Sequence, residues 1–121
     1  MAISGEYIES VRDLLDFVPE LSIKKMFGAA TALTGGLAFA LLDDDQLWLK
    51  ADAQSRSRFE SSGLQQFTYP GRDGRLMPMA YWLAPAEIWE DPDAARAWIR
   101  EAIDAAFRAK AAKPKRKPKA S

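Results

Sequence analysis

Several groups of residues in this 121-residue chain have types and spacings that chemistry can use. Asp43-Asp44-Asp45 offers three carboxylates, the ligand type of a hard cation. Consecutive acids lack the spaced pattern of a calcium loop, so a solvated turn between strands is the expected role. Glu87, Glu90, Asp91 and Asp93 gather where the last helical pattern begins, and carboxylates there favour the positive end of a helix dipole. Capping accounts for them, because a general acid and base pair needs a shielded cleft to split two pKa values. Gly28, Gly35 and Gly36 would cradle a phosphate only if a glycine loop opened a helix, and none does. They read as turn glycines.

Trp48, Tyr81 and Trp82, with Lys24, Lys25, Lys50 and Arg75, are the residue types that stack on and neutralise single-stranded nucleic acid. Core packing is the competing fate of aromatics in a small domain. Trp48 and Lys50 make the best surface contact, since Gln46, Trp48 and Lys50 share one side of an alternating strand. The strongest signal is at the other end of the chain. Residues 110–121 hold Lys110, Lys113, Lys115, Arg116, Lys117 and Lys119 and no acid. Setting those six apart from the 17 basic residues leaves 11 against 17 acids in residues 1–109, a formal charge of −6. Body and tail have opposite signs, and a flexible basic segment can neutralise phosphates by counterion release. The same charges also suit solubility or docking on the acidic body.

Histidine and cysteine are both absent. That removes the commonest general base near neutral pH, the commonest metal ligands, thiolate nucleophiles and every Ser-His-Asp arrangement. Only a design built on carboxylates or a lysine of lowered pKa would remain for an enzyme. The sequence therefore predicts no enzyme, no cofactor and no metal. Cysteine usage, the lack of a long apolar run and an N-terminus without signal-peptide character predict a cytoplasmic chain with no membrane role.

The elements that must position these residues follow from period. Tyr7, Ile8, Val11, Leu14, Leu15 and Val18 recur at helical spacing, with Pro19 as the stop. From Ser22 to Lys50 the period is that of strands, broken at Gly28, at Gly35-Gly36 and at the three aspartates, which predicts an antiparallel meander. Leu37–Leu42 is apolar on both faces, as a central strand should be, and the strand holding Trp48 should be half exposed. Asp52 can cap a short helix anchored by Phe59 and closed by Gly63. Phe67 and Tyr69 alternate on a fifth strand and Met77, Met79 and Tyr81 on a sixth, where Pro78 favours an edge. Asp91 and Pro92 open the last helix, with Trp98, Ile99, Ala102, Ile103, Ala106 and Phe107 on its apolar face. Arg100, Asp104 and Arg108 would form i,i+4 pairs on its outer face. The fold class is α+β: an antiparallel sheet meander with flanking helices in one compact domain, residues 1–111, followed by a basic disordered tail, residues 112–121.

Lys24-Lys25-Met26-Phe27-Gly28, Phe39-Ala40-Leu41, Leu47-Trp48-Leu49-Lys50-Ala51-Asp52, Phe67-Thr68-Tyr69 and Met79-Ala80-Tyr81-Trp82, in this order, resemble the N-terminal domain of the TfoX/Sxy family over roughly residues 7–107. The resemblance implies an α+β fold with an antiparallel sheet, no catalytic residues, and kinship to bacterial regulators of natural competence, which carry a further C-terminal domain.

The function expected is a non-catalytic binding or regulatory domain with an unidentified protein partner. Weak, non-specific nucleic-acid contact is expected through Lys113, Lys115, Arg116, Lys117 and Lys119. The alternatives are an interaction module with no nucleic-acid role, or an enzyme using only carboxylates or lysines. Sequence leaves the oligomeric state open.

Overall fold

This computed structural model describes residues 3–26 and 28–112, and Ser4 opens its first helix. The Ser4 hydroxyl accepts the backbone N–H of Tyr7 and so caps helix α1, Gly5–Leu14. Ile8 and Val11 face the core. The helix stops four residues before Val18, but a tight turn from Leu15 to Val18 keeps both of those side chains buried. The apolar spacing thus continues past the helix itself.

Six strands follow: β1 Leu21–Met26, β2 Ala29–Thr34, β3 Leu37–Asp43, β4 Gln46–Lys50, β5 Gln66–Pro70 and β6 Leu76–Leu83. They form one sheet in the order β1-β2-β3-β4-β6-β5, and every pairing is antiparallel. The two-residue turns at Gly35-Gly36 and Asp44-Asp45 have positive φ at both positions, as type I′ hairpins require. A register shift in the β2–β3 ladder leaves Phe39 as an extra residue, so Phe39 and Ala40 are both fully buried although they are consecutive.

Two sequence expectations need correction here. The strand containing Pro78 is not an edge strand, because β6 lies between β4 and β5. The local argument from proline still holds: the ladder to β4 covers only Tyr81–Leu83, and Pro78 pairs with Thr68 of β5 on its other side. The strand holding Trp48 is not half exposed either, since Leu47, Trp48 and Leu49 are all buried.

Register and burial place the helices on one face of the sheet. Ala30, Ala32, Ala40, Leu42, Leu47, Leu49 and Trp82 form that face, and they meet Val11 and Leu15, Phe59 of helix α2 (Arg56–Ser61), and Trp98, Ile99, Ala102 and Ala106 of helix α3 (Pro92–Ala112). Phe107 is off this face and 53% exposed, contrary to the sequence reading. It lies five residues beyond Ala102, about 140° round the helix, whereas Ala105 and Ala106 stay on the core side. The core ends with alanines.

Asp91 accepts N–H groups of Asp93 and Ala94 and caps α3 as expected. Trp98 is the hub between the helices: its indole stacks near Phe59 at 5.0 Å, lies under the Arg58 guanidinium at 4.1 Å and donates Nε1–H to Glu87 at 2.8 Å.

Candidate functional site

The sheet face opposite the helices holds Thr31, Leu41, Trp48, Lys50 and Tyr81, as the pairings Thr31↔Leu41, Leu41↔Trp48 and Lys50↔Tyr81 dictate. Of the three aromatics for which stacking competes with core packing, Trp48 and Tyr81 on this face are only 6% and 7% exposed. Phe67 of β5 covers Trp48 edge-to-face at 5.0 Å, and the Lys50 ammonium sits 5.3 Å above the Tyr81 ring. Burial pushes the Tyr81 phenol pKa above its ordinary value. The indole N–H of Trp48 is buried and has no hydrogen-bond partner among the described residues. Alternation therefore assigned Trp48 to the correct face, but the neighbouring hairpin closes over it. It is not a platform for a base.

The other members of the aromatic and basic group are scattered. Trp82 pairs with Leu49 on the helix side and belongs to the core. Lys24 lies in the same row as Trp48 but three strands away, about 14 Å at the usual strand spacing. Arg75 sits in the β5–β6 turn, six residues from Tyr81 and hence about 20 Å along the strand, where Asp73 pairs with its Nε at 3.1 Å. Lys50 is left as the basic residue beside the buried aromatics.

The three aspartates do structural work. Asp44 and Asp45 form the hairpin turn, and the Asp45 carboxylate accepts the backbone N–H of Ser4 at 2.9 Å and its hydroxyl at 3.3 Å. That bond ties the start of α1 to the β3–β4 hairpin. Burial, aided by the Asp45 charge, pushes the Tyr7 phenol up to about 12. Among the described residues no group of three or more carboxylates is arranged to hold a metal ion, and no helix is long and apolar enough to cross a membrane.

One pair that local reading missed fixes the geometry near Lys50. Asp52 accepts the N–H groups of Gln54 and Ser55, and its own N–H donates back to the Ser55 hydroxyl. This turn leads into α2, so the expected cap acts one turn before the helix begins. The Asp52 carboxylate also receives Arg108 Nε at 2.7 Å and a second guanidinium nitrogen at 3.1 Å. Those Arg108 bonds, helped by the ones from Ser55, outweigh the opposing effect of burial and hold the Asp52 carboxyl well below the usual carboxylate range. Arg108 is thus committed to Asp52 instead of the expected partner Asp104, and the end of α3 is fastened two residues after Lys50. Lys110 lies exposed in the last turn. Lys113, Lys115, Arg116, Lys117 and Lys119 lie outside the described residues.

A second feature escaped the sequence reading. Tyr69, Leu76 and Met77, three of the large hydrophobic side chains left most exposed, all lie on the β5–β6 hairpin. Alternation alone assigns Tyr69 and Met77 to a buried face, but β4 ends opposite Tyr81, so the hairpin extends past the body that would cover them.

No curated protein matches the chain. The family described as TfoX N-terminal domain matches residues 13–106, which run from the last two residues of α1 through the sheet and α2 to Ala106 of α3. With that match over most of its length and the antiparallel sheet under three helices, the chain belongs to the TfoX N-terminal domain family.

Proposed function

We propose that this protein is a non-catalytic binding domain akin to the competence regulators of its family, and that it contacts nucleic acid weakly and without sequence preference through the basic segment Lys113–Lys119. The observation that carries this reading is the segregation of charge: six basic residues and no acid in residues 110–121, against −6 in the rest. Such a run of basic residues neutralises phosphates, and contacts to phosphates carry no sequence information. The Asp52–Arg108 clamp supports the reading, because it fixes Arg108, near the end of α3, to Asp52, two residues after Lys50 at the end of β4. Family membership supports a binding role over a catalytic one.

An interaction module without nucleic-acid contact is favoured by one separate observation, the exposed apolar side chains of the β5–β6 hairpin. Titrating labelled duplexes of unrelated sequence with the full chain and with a chain ending at Ala112 separates the two. Loss of binding on truncation supports the tail; equal, absent binding by both forms supports the module.

A further inference from the structure

The two edges of the sheet differ in a way that bears on self-association. At one edge, β1 carries Lys24 and Lys25 side by side, and a strand so charged repels its own copy. At the other, β5 is Gln66-Phe67-Thr68-Tyr69-Pro70, five residues without a charge. Thr68, Tyr69 and Pro70 are exposed, and the nearby Leu76 and Met77 add apolar surface.

The backbone of β5 determines which groups face outward. Gln65 accepts the N–H of Leu83, and Gly71 donates to Arg75, so both residues point their main-chain groups at β6. The β5–β6 register shifts between Gln66 and Thr68, but Gln65 and Gly71, an even six residues apart on either side of the shift, both face β6, so alternation along β5 turns Gln66, Thr68 and Pro70 away from it. Gln66 and Thr68 each present an N–H and a C=O to the outside, and Pro70 presents only its carbonyl. A two-fold axis through Thr68 matches these groups to themselves. Thr68 exchanges both bonds with its own copy, and each Gln66 N–H meets a Pro70 carbonyl, so the donor that proline lacks is needed only by the Gln66 carbonyl.

The side chains are self-complementary in the same register. Thr68 lies opposite Thr68, and Phe67 opposite Tyr69, two of the cross-strand pairings that stabilise antiparallel ladders. Phe67 is already held in place by its edge contact with Trp48. Among registers that pair the outward groups, the one about Thr68 gives both Phe67 and Tyr69 an aromatic partner, whereas the one about Phe67 leaves Tyr69 opposite Gln65.

We propose that β5 is a homodimerisation edge, with two copies joined antiparallel about Thr68 into one continuous sheet. The interface contains no ion pair, so its strength does not fall with salt.

The natural absence of cysteine makes a direct test simple. Directly opposed, hydrogen-bonded residues have Cα atoms about 5.5 Å apart, within the range a disulfide spans. Thr68→Cys in the full chain is expected to give a covalent dimer under mild oxidation, whereas Gln54→Cys, exposed on the α2 approach, stays monomeric. Sedimentation of the unmodified chain from micromolar to millimolar concentration should show a rising mass, unchanged between low and high salt. Thr68→Lys, which sets like charges face to face, should weaken the association on the order of tenfold or more while leaving the melting temperature of the monomer in place. A chain that stays monomeric throughout, a Thr68→Cys variant that couples no faster than Gln54→Cys, or an association dispersed by salt each overturns the proposal. The last of these would assign self-association to contact between basic tail and acidic body.

Discussion

Arg108 and Asp52, 56 residues apart in the chain, close a two-pronged ion pair of 2.7 and 3.1 Å that fastens the last turns of α3 to the loop after β4. A planar guanidinium matches both carboxylate oxygens at once, and this gives the contact a fixed geometry as well as an energy. It fixes α3, four residues before its end, to Asp52, which follows Lys50 by two residues.

The first prediction concerns acid. An unfolded aspartate titrates near pH 4, and Asp52 in the fold titrates well below that. Its contribution to stability is therefore complete above about pH 4 and is lost as the pH falls towards the folded-state value. Because the pair is partly open to solvent, Asp52→Asn should cost only about 1 kcal/mol at pH 7. Urea midpoints of the two proteins should converge as the pH drops from about 5 to about 2. A gap that is constant with pH would show that Asp52 acts through its turn alone.

The second prediction compares two tryptophans. Trp98→Ala should cost about 3–5 kcal/mol, as large aromatic truncations in cores do. Trp98→Phe removes a hydrogen bond to the exposed Glu87 carboxylate, whereas Trp48→Phe removes a buried N–H that has no partner among the described residues. Leaving a buried donor unsatisfied costs about 1–3 kcal/mol, so Trp48→Phe should be the milder of the two changes. Denaturation midpoints in the reverse order would mean that the Trp48 indole has an acceptor.

Metal dependence is the subject of the third. No cluster of ligands stands out among the described residues, so thermal melts with and without EDTA should coincide. A fall of many degrees on chelation would reveal an oxygen-ligand site that this structure does not bring together.

The hairpins were legible in the sequence because they are local. Gly35-Gly36 and the aspartates mark two-residue turns, and alternation on either side determines which residues share a face. Trp98 was legible for the same reason, since helical period identifies a buried face without reference to partners. What sequence could not show depends on distant segments. Asp104 was the obvious partner for Arg108 at i,i+4, but the loop containing Asp52 approaches from another part of the chain. Trp48 shares a side of its strand with polar neighbours, and only the insertion of β6 between β4 and β5 brings Phe67 over it. Phe107 was grouped with the apolar face by residue type, although its angle on the helix sets it aside. Of the proposed site, Lys50 is placed, and the five basic residues from Lys113 to Lys119 are outside what the structure describes.

The most direct test of the nucleic-acid reading is the salt dependence of duplex binding by the full chain and by a chain ending at Ala112. Every core side chain among the described residues lies before that point, so truncation should leave the melting temperature nearly unchanged. The full chain should bind unrelated duplexes alike at low salt, with log affinity falling against log salt at a slope no steeper than about −5, the limit if all six basic residues from Lys110 onward met phosphates. The truncated chain, with its acidic body, should not bind. Undiminished binding after truncation, or affinity that discriminates strongly between sequences, would contradict the account and move the contact to the folded domain.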